Sequence, residues 1–425
     1  MTEPSPTSEL LARRARLLGP AYRLFYEQPF HPVRGEGVWL FDAAGTPYLD
    51  AYNNVVCVGH AHPHVVEAIA RQAATLNTHT RYLHDGILDY AERLLATMPA
   101  ALGHATFTCS GSEANDLAMR IATAHTGGKG LIVTRFAYHG VTSAIACASP
   151  SLGKFVQIGE HVRLVDAPSG GDDDTGRRFA DGVSAAIADL RAHGIAPAAL
   201  MVDTVFSSDG IFTGPTGFLR EAVEAIHAAG GVFIADEVQP GFARTGEAFW
   251  GFMRHGVVPD IVTMGKPMGN GHPVAGLVVK PEVMRAFGQT SRYFNTFGGN
   301  PVSMAAASAV LDVIEQQDLQ RNALRVGRYL RESLAALGQR HALVGEVRGA
   351  GMFVGVELVD DRSTRTPAAA DAARVVNGLR ERQVLLSATG EHANVLKIRP
   401  PLVFTREHAD LLVQRLDEVL TAIAG

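Results

Sequence analysis

Gly231-Val232-Phe233-Ile234-Ala235-Asp236-Glu237-Val238-Gln239 is the stretch whose reading decides the fold. Val232–Ala235 is apolar without a break, and it stops at two acids. A strand with no polar face must be covered on both sides, as in parallel sheets flanked by helices. Similar short runs occur at Thr106–Cys109, Leu131–Thr134, Leu200–Asp203, Ile261–Met264 and Gly276–Val279. Amphipathic stretches such as Ser112–Ala124, Arg177–His193 and Phe218–Ala229 separate them. That alternation predicts an α/β fold with βαβ units, a mostly parallel central sheet and helices on both faces.

Outward from this centre the pattern changes. After Pro301 come two long helical stretches, Val302–Gln316 and Leu319–Gly338. Strand-like runs follow at Ala342–Val347, Phe353–Leu358 and Val395–Ile398, then a closing helix Arg406–Ile423. The segment Gly35–Leu49 reads as a hairpin, Val38–Phe41 and Pro47–Leu49. It is expected to join the C-terminal part. The division expected is a large domain over 51–300 and a small α+β domain made of 1–50 and 301–425. Residues 1–10 and the loop Ser169–Gly176, with its Asp172–Asp174 run, read as solvated.

Composition narrows the function. The 425 residues are 47% hydrophobic and 19% charged, which suits a large buried core and not a disordered chain. The 38 basic and 43 acidic residues are dispersed, so no basic stripe offers a nucleic acid its phosphate contacts. Cys57, Cys109 and Cys147 form neither a disulfide framework nor a zinc-binding pattern. Met1–Leu11 lacks the layout of a signal peptide, and no apolar run reaches the length of a membrane span. A cytoplasmic enzyme with no nucleic-acid or membrane partner is expected.

Neither nucleotide-binding glycine fingerprint is present, which counts against a nicotinamide oxidoreductase. A different phosphate cradle is: Ser110-Gly111-Ser112-Glu113-Ala114-Asn115-Asp116 follows a strand and opens a helix whose free N–H groups favour an anion, with Ser112 as the expected cap. Asp236 ends its strand at the carboxyl edge, where α/β sheets bind ligands. Lys266, in Met264-Gly265-Lys266-Pro267-Met268-Gly269-Asn270-Gly271, ends another. Alone, each has a plainer reading: a capped helix, a capping aspartate, a surface lysine. Together they suit pyridoxal phosphate, whose phosphate needs a helix start, whose pyridine nitrogen needs a carboxylate and whose aldehyde needs an amine. Tyr138-His139-Gly140 adds an aromatic ring to stack on the cofactor.

With these motifs and Asn295-Thr296-Phe297-Gly298-Gly299-Asn300-Pro301, the chain resembles the class III aminotransferase family of fold type I from about Val38 to Ile423. The resemblance implies that Lys266 forms the Schiff base and that Asp236 pairs with the pyridine nitrogen. It implies further that Gly111 and Ser112 hold the phosphate, Tyr138 stacks with His139 beside it, and Val238 and Gln239 lie behind the ring and by its hydroxyl. Thr296 would reach the phosphate of a second subunit, which implies a homodimer with shared active sites.

Several stretches resemble the family's phospho-lyase branch, which acts on amino phosphates such as O-phosphoethanolamine. They are Asn53–His60, Thr80–Asp85, Leu385–Ala388, Asn394–Pro401 and the Lys266-Pro267 pair; Asp203-Thr204 also stands where aminotransferases commonly have Glu-Pro. Arg399 sits where family members bind the substrate's acidic group, and Arg81 and His84 are candidates at the mouth of the site. An ω-aminotransferase is the alternative. No metal site is expected: His60, His62 and His64 lack a completing ligand. Arg244 is expected in a structural ion pair and Cys109 in buried packing.

Overall fold

The computed structural model describes residues 6–424. Helix α1 (Pro6–Leu18) precedes an antiparallel meander of β1 (Pro32–Glu36), β2 (Trp39–Asp42) and β3 (Pro47–Asp50). Helices α2 (Pro63–Thr75) and α3 (Asp85–Ala96) lead into the alternating region. It runs β4 (His104–Thr108), α4 (Gly111–Thr126), β5 (Gly130–Thr134), α5 (Ser143–Ala146), β6 (Val162–Val165), α6 (Thr175–Ala192) and β7 (Pro197–Asp203). It continues through α7 (Arg220–Ala228), β8 (Val232–Asp236), β9 (Ile261–Met264), β10 (Ala275–Val279) and α8 (Pro281–Thr290). The C-terminal part holds α9 (Pro301–Gln316), α10 (Leu319–Leu337), β11 (Val344–Ala350), β12 (Phe353–Asp361), β13 (Thr366–Pro367) and α11 (Ala369–Glu381), then β14 (Val384–Leu385), β15 (Ser387–Thr389), β16 (Val395–Ile398) and α12 (Arg406–Ala424).

Seven strands form the central sheet in the order β4-β10-β9-β8-β7-β5-β6. All run parallel except β10, which is antiparallel to both its neighbours. The two-sided burial inferred from Val232–Ala235 has a direct cause. Phe233 and Ala235 pack into one core with Phe179, Val183 and Leu190 of α6 and Ile226 of α7. Val232 and Ile234 pack into another with Leu117 and Ile121 of α4 and Phe287 of α8. Alternate side chains point to opposite faces, and each face has its own helices.

Strands β11, β12, β16 and β15, with the short β13 paired to the end of β12, make a second, antiparallel sheet. The meander is sewn to the C-terminal part, because β14 pairs in parallel with β3 through Val384–Leu49 and Leu385–Asp50. Several strands leave no apolar run in the sequence, among them the short β13 and β15. Edge strand β6 carries the half-exposed Arg163 at its centre, and β1 is almost wholly exposed. The first strand of the second sheet also lies later than Ala342–Val347, at Val344–Ala350.

Backbone meets backbone where α10 crosses the turn between β11 and β12. A Cβ on Gly327 would overlap the carbonyl oxygen of Gly351. Gly351, at φ +52°, in turn abuts the Arg244 carbonyl. Gly327→Ala should force these segments apart and cost about 1–3 kcal/mol by overpacking. A lower melting temperature with an unchanged far-ultraviolet circular dichroism spectrum is the expected result; an unshifted melt would show that the contact yields freely.

Candidate active site

The chain at the carboxyl ends of β4, β5, β7, β8 and β9 builds one cleft of about 250 Å³. It is lined by Gly111, Ser112, Tyr138, His139, Asp236, Val238, Gln239 and Lys266, with Ser110, Asn115, Gly140 and Asp203 completing the wall. Eight of the candidates singled out in the sequence thus face one space.

The start of α4 is set by Ser110 and not, as expected, by Ser112. Ser110 Oγ accepts from the Glu113 amide at 3.3 Å, and Glu113 Oε2 accepts from the Cys109 amide at 2.8 Å. This reciprocal cap frees Ser112, whose Oγ accepts from the Val141 amide at 3.1 Å and ties down the 138–141 turn. Gly140, at φ +144°, lies so close that a Cβ would stand 2.6 Å from Ser112 Oγ. A Cβ on Gly111 would press on Val238 at 2.9 Å. The first turn of α4 therefore opens into the cleft at a helix start suited to phosphate.

Asp236 is 4% exposed. Its Oδ2 accepts from Asn115 Nδ2 at 2.9 Å and His139 Nδ1 at 2.8 Å, and its Oδ1 accepts from the Val238 amide at 3.1 Å. An ionised carboxylate only accepts, so His139 carries its proton on Nδ1, and Oδ1 keeps capacity for one more donor. Asn115 Nδ2 also donates to the His139 carbonyl at 2.7 Å, and Asn115 Oδ1 accepts from Thr263 Oγ1 at 2.6 Å. Ser149 Oγ accepts from the His139 amide at 2.9 Å. His139 thus acts on Asp236 within this chain. The sequence reading missed Asn115, Thr263 and Ser149, although Asn115 stands one helical turn beyond Gly111, on the same helix face.

Lys266 follows β9 at φ +23°, in a short 3₁₀ turn Lys266–Gly269. Burial, and secondarily the Arg399 charge, lower its pKa to about 8, against the opposing pull of Asp236 and Asp203. Its Nζ lies 6.0 Å from the centre of the Tyr138 ring. Asp203, also missed as a site residue, ends β7 directly beside Asp236 in the strand register. Burial and the Asp236 charge both push its carboxyl up.

Arg399 is 6% exposed. It donates through Nη1 to Gln239 Oε1, its guanidinium lies 4.4 Å from the centre of the Tyr52 ring, and its Nε is buried without a partner. Gln239 Nε2 donates in turn to Ser207 Oγ at 2.5 Å. Arg244 makes no ion pair, contrary to expectation. Its Nη1 donates to the carbonyls of Met352 and Pro400. Lys397, two residues before Arg399 on β16, is buried with its Nζ 5.8 Å from the centre of the Phe353 ring.

Other candidates lie elsewhere in the chain. Arg81 stacks on Phe294 at 3.9 Å, and His84 caps α3 by accepting from the Gly86 amide at 3.1 Å. Thr296 is exposed on the neighbouring loop. His60 and His64 bond to Asp50 and Asp312, each at 2.7 Å. Cys109 is half-buried, with its Sγ 3.7 Å from Asn295 Oδ1, so it is not the core packing residue expected.

These residues fit pyridoxal phosphate. The start of α4 can take the phosphate, the free capacity of Asp236 Oδ1 can take the pyridine N–H, and the half-desolvated Lys266 can take the aldehyde.

A family model described as aminotransferase class-III matches residues 25–420. The alanine–glyoxylate aminotransferase 2-like protein of Drosophila melanogaster is 43% identical over 98% of this chain and 87% of its own. Ethanolamine-phosphate phospho-lyase homolog 1 of Caenorhabditis elegans is 37% identical over 97% and 93%. Among solved structures, a phospholyase from Arthrobacter in complex with phosphoethanolamine superposes with a TM-score of 0.94 at 46% identity, over 97% of this chain and 99% of that one.

The lowered pKa of Lys266 can be read directly. In cofactor-free protein, fixation of added pyridoxal phosphate to Lys266 by borohydride should rise with pH and level off above about 8, because the unprotonated amine attacks the aldehyde. A rise continuing into the range of an exposed lysine would contradict the burial.

Asn115→Ala should leave the His139 carbonyl and the Thr263 hydroxyl unpaired and strip one donor from Asp236. Each unmade buried bond costs about 1–3 kcal/mol. A lower melting temperature and cofactor retention weakened by about tenfold or more are expected in melts and dialysis of the loaded protein. Wild-type behaviour in both would reduce Asn115 to packing.

Proposed function

This chain belongs to the class III aminotransferase family, with its fold type I architecture and its dependence on pyridoxal phosphate, and on that premise we propose that it is a phospho-lyase. Its substrate is an O-phosphorylated amino alcohol such as O-phosphoethanolamine. The observation that carries this reading is the buried Arg399, which bonds a glutamine amide and stacks on a tyrosine but meets no carboxylate. Arg244 is likewise buried without an acid in bonding contact. A substrate carboxylate offsets one such charge, whereas a phosphate dianion offsets two and matches the arginine fork.

The roles follow from position. The first turn of α4, with Gly111 and Ser112, holds the cofactor phosphate, and Asp236 keeps the pyridine nitrogen protonated. Tyr138, Val238 and Gln239, which line the same cleft, would cover the ring, back it and stand by its hydroxyl. Lys266, a buried amine of lowered pKa, would be the base that takes the proton from the substrate carbon bearing nitrogen. Pyridoxal phosphate supplies the sink for the electrons left behind. Arg399 grips the substrate phosphate and stabilises the charge that builds as it departs from the adjacent carbon. The released enamine hydrolyses to an aldehyde and ammonia.

A homodimer is part of the same reading. Thr296 lies among apolar side chains left in solvent, including the fully exposed Leu83 and the largely exposed Phe297 and Tyr82. A second copy that covers them brings Thr296 to the other subunit's cofactor phosphate, and Arg81 and His84 to its mouth. The aminotransferase names among the relatives favour amine transfer as the second reading.

Inorganic phosphate should be released from O-phosphoethanolamine by the loaded enzyme without any keto acid. Arg399→Lys should lower that release by about ten- to a hundredfold, the worth of a charge-assisted bond of roughly 1.5–3 kcal/mol. Amine transfer to pyruvate is measured in parallel. Robust transfer with no phosphate release by the wild type would overturn the phospho-lyase reading, and an unimpaired variant would remove Arg399 from the site.

A further inference from the structure

The loop over 51–59 touches the arginine and the turn that carries the lysine at once. On one side, the Arg399 amide donates to the Ala51 carbonyl at 2.9 Å and the Leu402 amide donates to the Cys57 carbonyl at 2.6 Å. The Tyr52 ring lies under the Arg399 guanidinium. On the other side, the Cys57 thiol donates to the Pro267 carbonyl at 3.1 Å, one residue beyond Lys266. Asn270, which closes the lysine turn at φ +49°, accepts from the Val58 amide at 3.0 Å and donates to the Gly59 carbonyl at 2.8 Å.

The ends of the loop are pinned as well. Asp50 Oδ1 accepts from the amides of Tyr52 and Asn53 at 3.0 and 2.9 Å, while its Oδ2 holds His60 Nε2 at 2.7 Å. Within the loop, Asn54 is buried with both amide atoms unpaired. Such a group favours any shift that would pair it. The bonds inside the loop are short-range turns, Asn54 amide to Tyr52 carbonyl at 3.1 Å, Val55 amide to Asn53 Oδ1 at 3.2 Å and Gly59 amide to Val56 carbonyl at 2.9 Å. Its placement between the two sides of the cleft is therefore set by the outside tethers.

We propose that this loop is a spacer that fixes the distance between Lys266 and Arg399, and so selects substrates by the length between their amine and their anionic group. Cys57 and Asn270 are the positioning residues that couple the loop to the lysine turn. The inference rests on the reading that Arg399 grips the substrate's anion, whichever way the reaction then runs. A hydrogen bond weakens steeply once its geometry is lost, so one methylene more or less in the substrate strains one end when both ends are held.

The test titrates loaded enzyme with aminoethyl-, aminopropyl- and aminobutylphosphonate, following the cofactor's absorption band. Their carbon–phosphorus bond cannot be eliminated, and affinity is read from the immediate change of the band, before any slower amine transfer to the cofactor. Aminopropylphosphonate matches O-phosphoethanolamine atom for atom, with a methylene in place of the ester oxygen. Wild type should bind it about tenfold more tightly than its shorter and longer neighbours. Cys57→Ala and Asn270→Gly, the latter keeping a residue at ease at positive φ, should bring the three ligands within about threefold of one another. Cys57→Ser, which can still donate to Pro267, should restore the preference. A flat wild-type profile, or variants that keep the wild-type preference, would overturn the spacer. A sharp profile that these variants flatten, in an enzyme that releases no phosphate from O-phosphoethanolamine, supports the spacer and rejects the phospho-lyase reading alone.

Discussion

A carboxylate buried beside a cofactor cleft must be held by donors, because an unpaired charge at that depth is worth many times the margin by which a protein stays folded. Asp236 receives three, from Asn115, His139 and the Val238 amide. Each donor belongs to a different segment, so satisfying one carboxylate fixes the start of α4, the 138–141 turn and the chain leaving β8. Thr263 on β9 holds Asn115, and Ser149 holds His139. The start of α4 and the carboxylate of Asp236 are thereby parts of one network. Neither can shift without leaving a polar group bare.

Charge around the cleft follows the same logic in reverse. Burial lowers the lysines, with Lys266 at about 8 and Lys397 pushed well down. It also raises buried acids that lack a cation, bringing Asp209 and Glu237 to about 7 each. Glu237 shows that adjacent acids need not share a task. It accepts from Thr204 Oγ1 and from the amides of Gly251 and Phe252, which makes it a tie for the loop after β8 while Asp236 faces the cleft.

Continuous apolar strands, glycines at close approaches and strand-end acids are local signals, and they exposed the central sheet and eight of the residues lining the cleft. Strands that earn little burial left no such mark. Edge strand β6 and the exposed β1 went unread because a half-wet strand needs no unbroken hydrophobic run. The helix cap moved from Ser112 to Ser110 because both residues can cap, and only the position of the 138–141 turn decides which one is needed elsewhere. Asn115 and Asp236, or Arg399 and Gln239, meet across more than a hundred residues. No spacing rule links them. Arg244 defeated expectation because backbone carbonyls, invisible in a list of side chains, took the place of an acid.

The pairing of β3 with β14, and of the Ala51 carbonyl with the Arg399 amide, has a consequence for biosynthesis. The meander β1–β3 can pair within itself, but β3 finds its second neighbour β14 only when the last hundred residues follow. The central sheet between them can condense earlier, since its helices and parallel strands are close in sequence. A nascent chain can therefore own a folded sheet and a phosphate cradle while the arginine and its tyrosine platform are still apart. The Arg399 side of the cleft is the last part to be assembled.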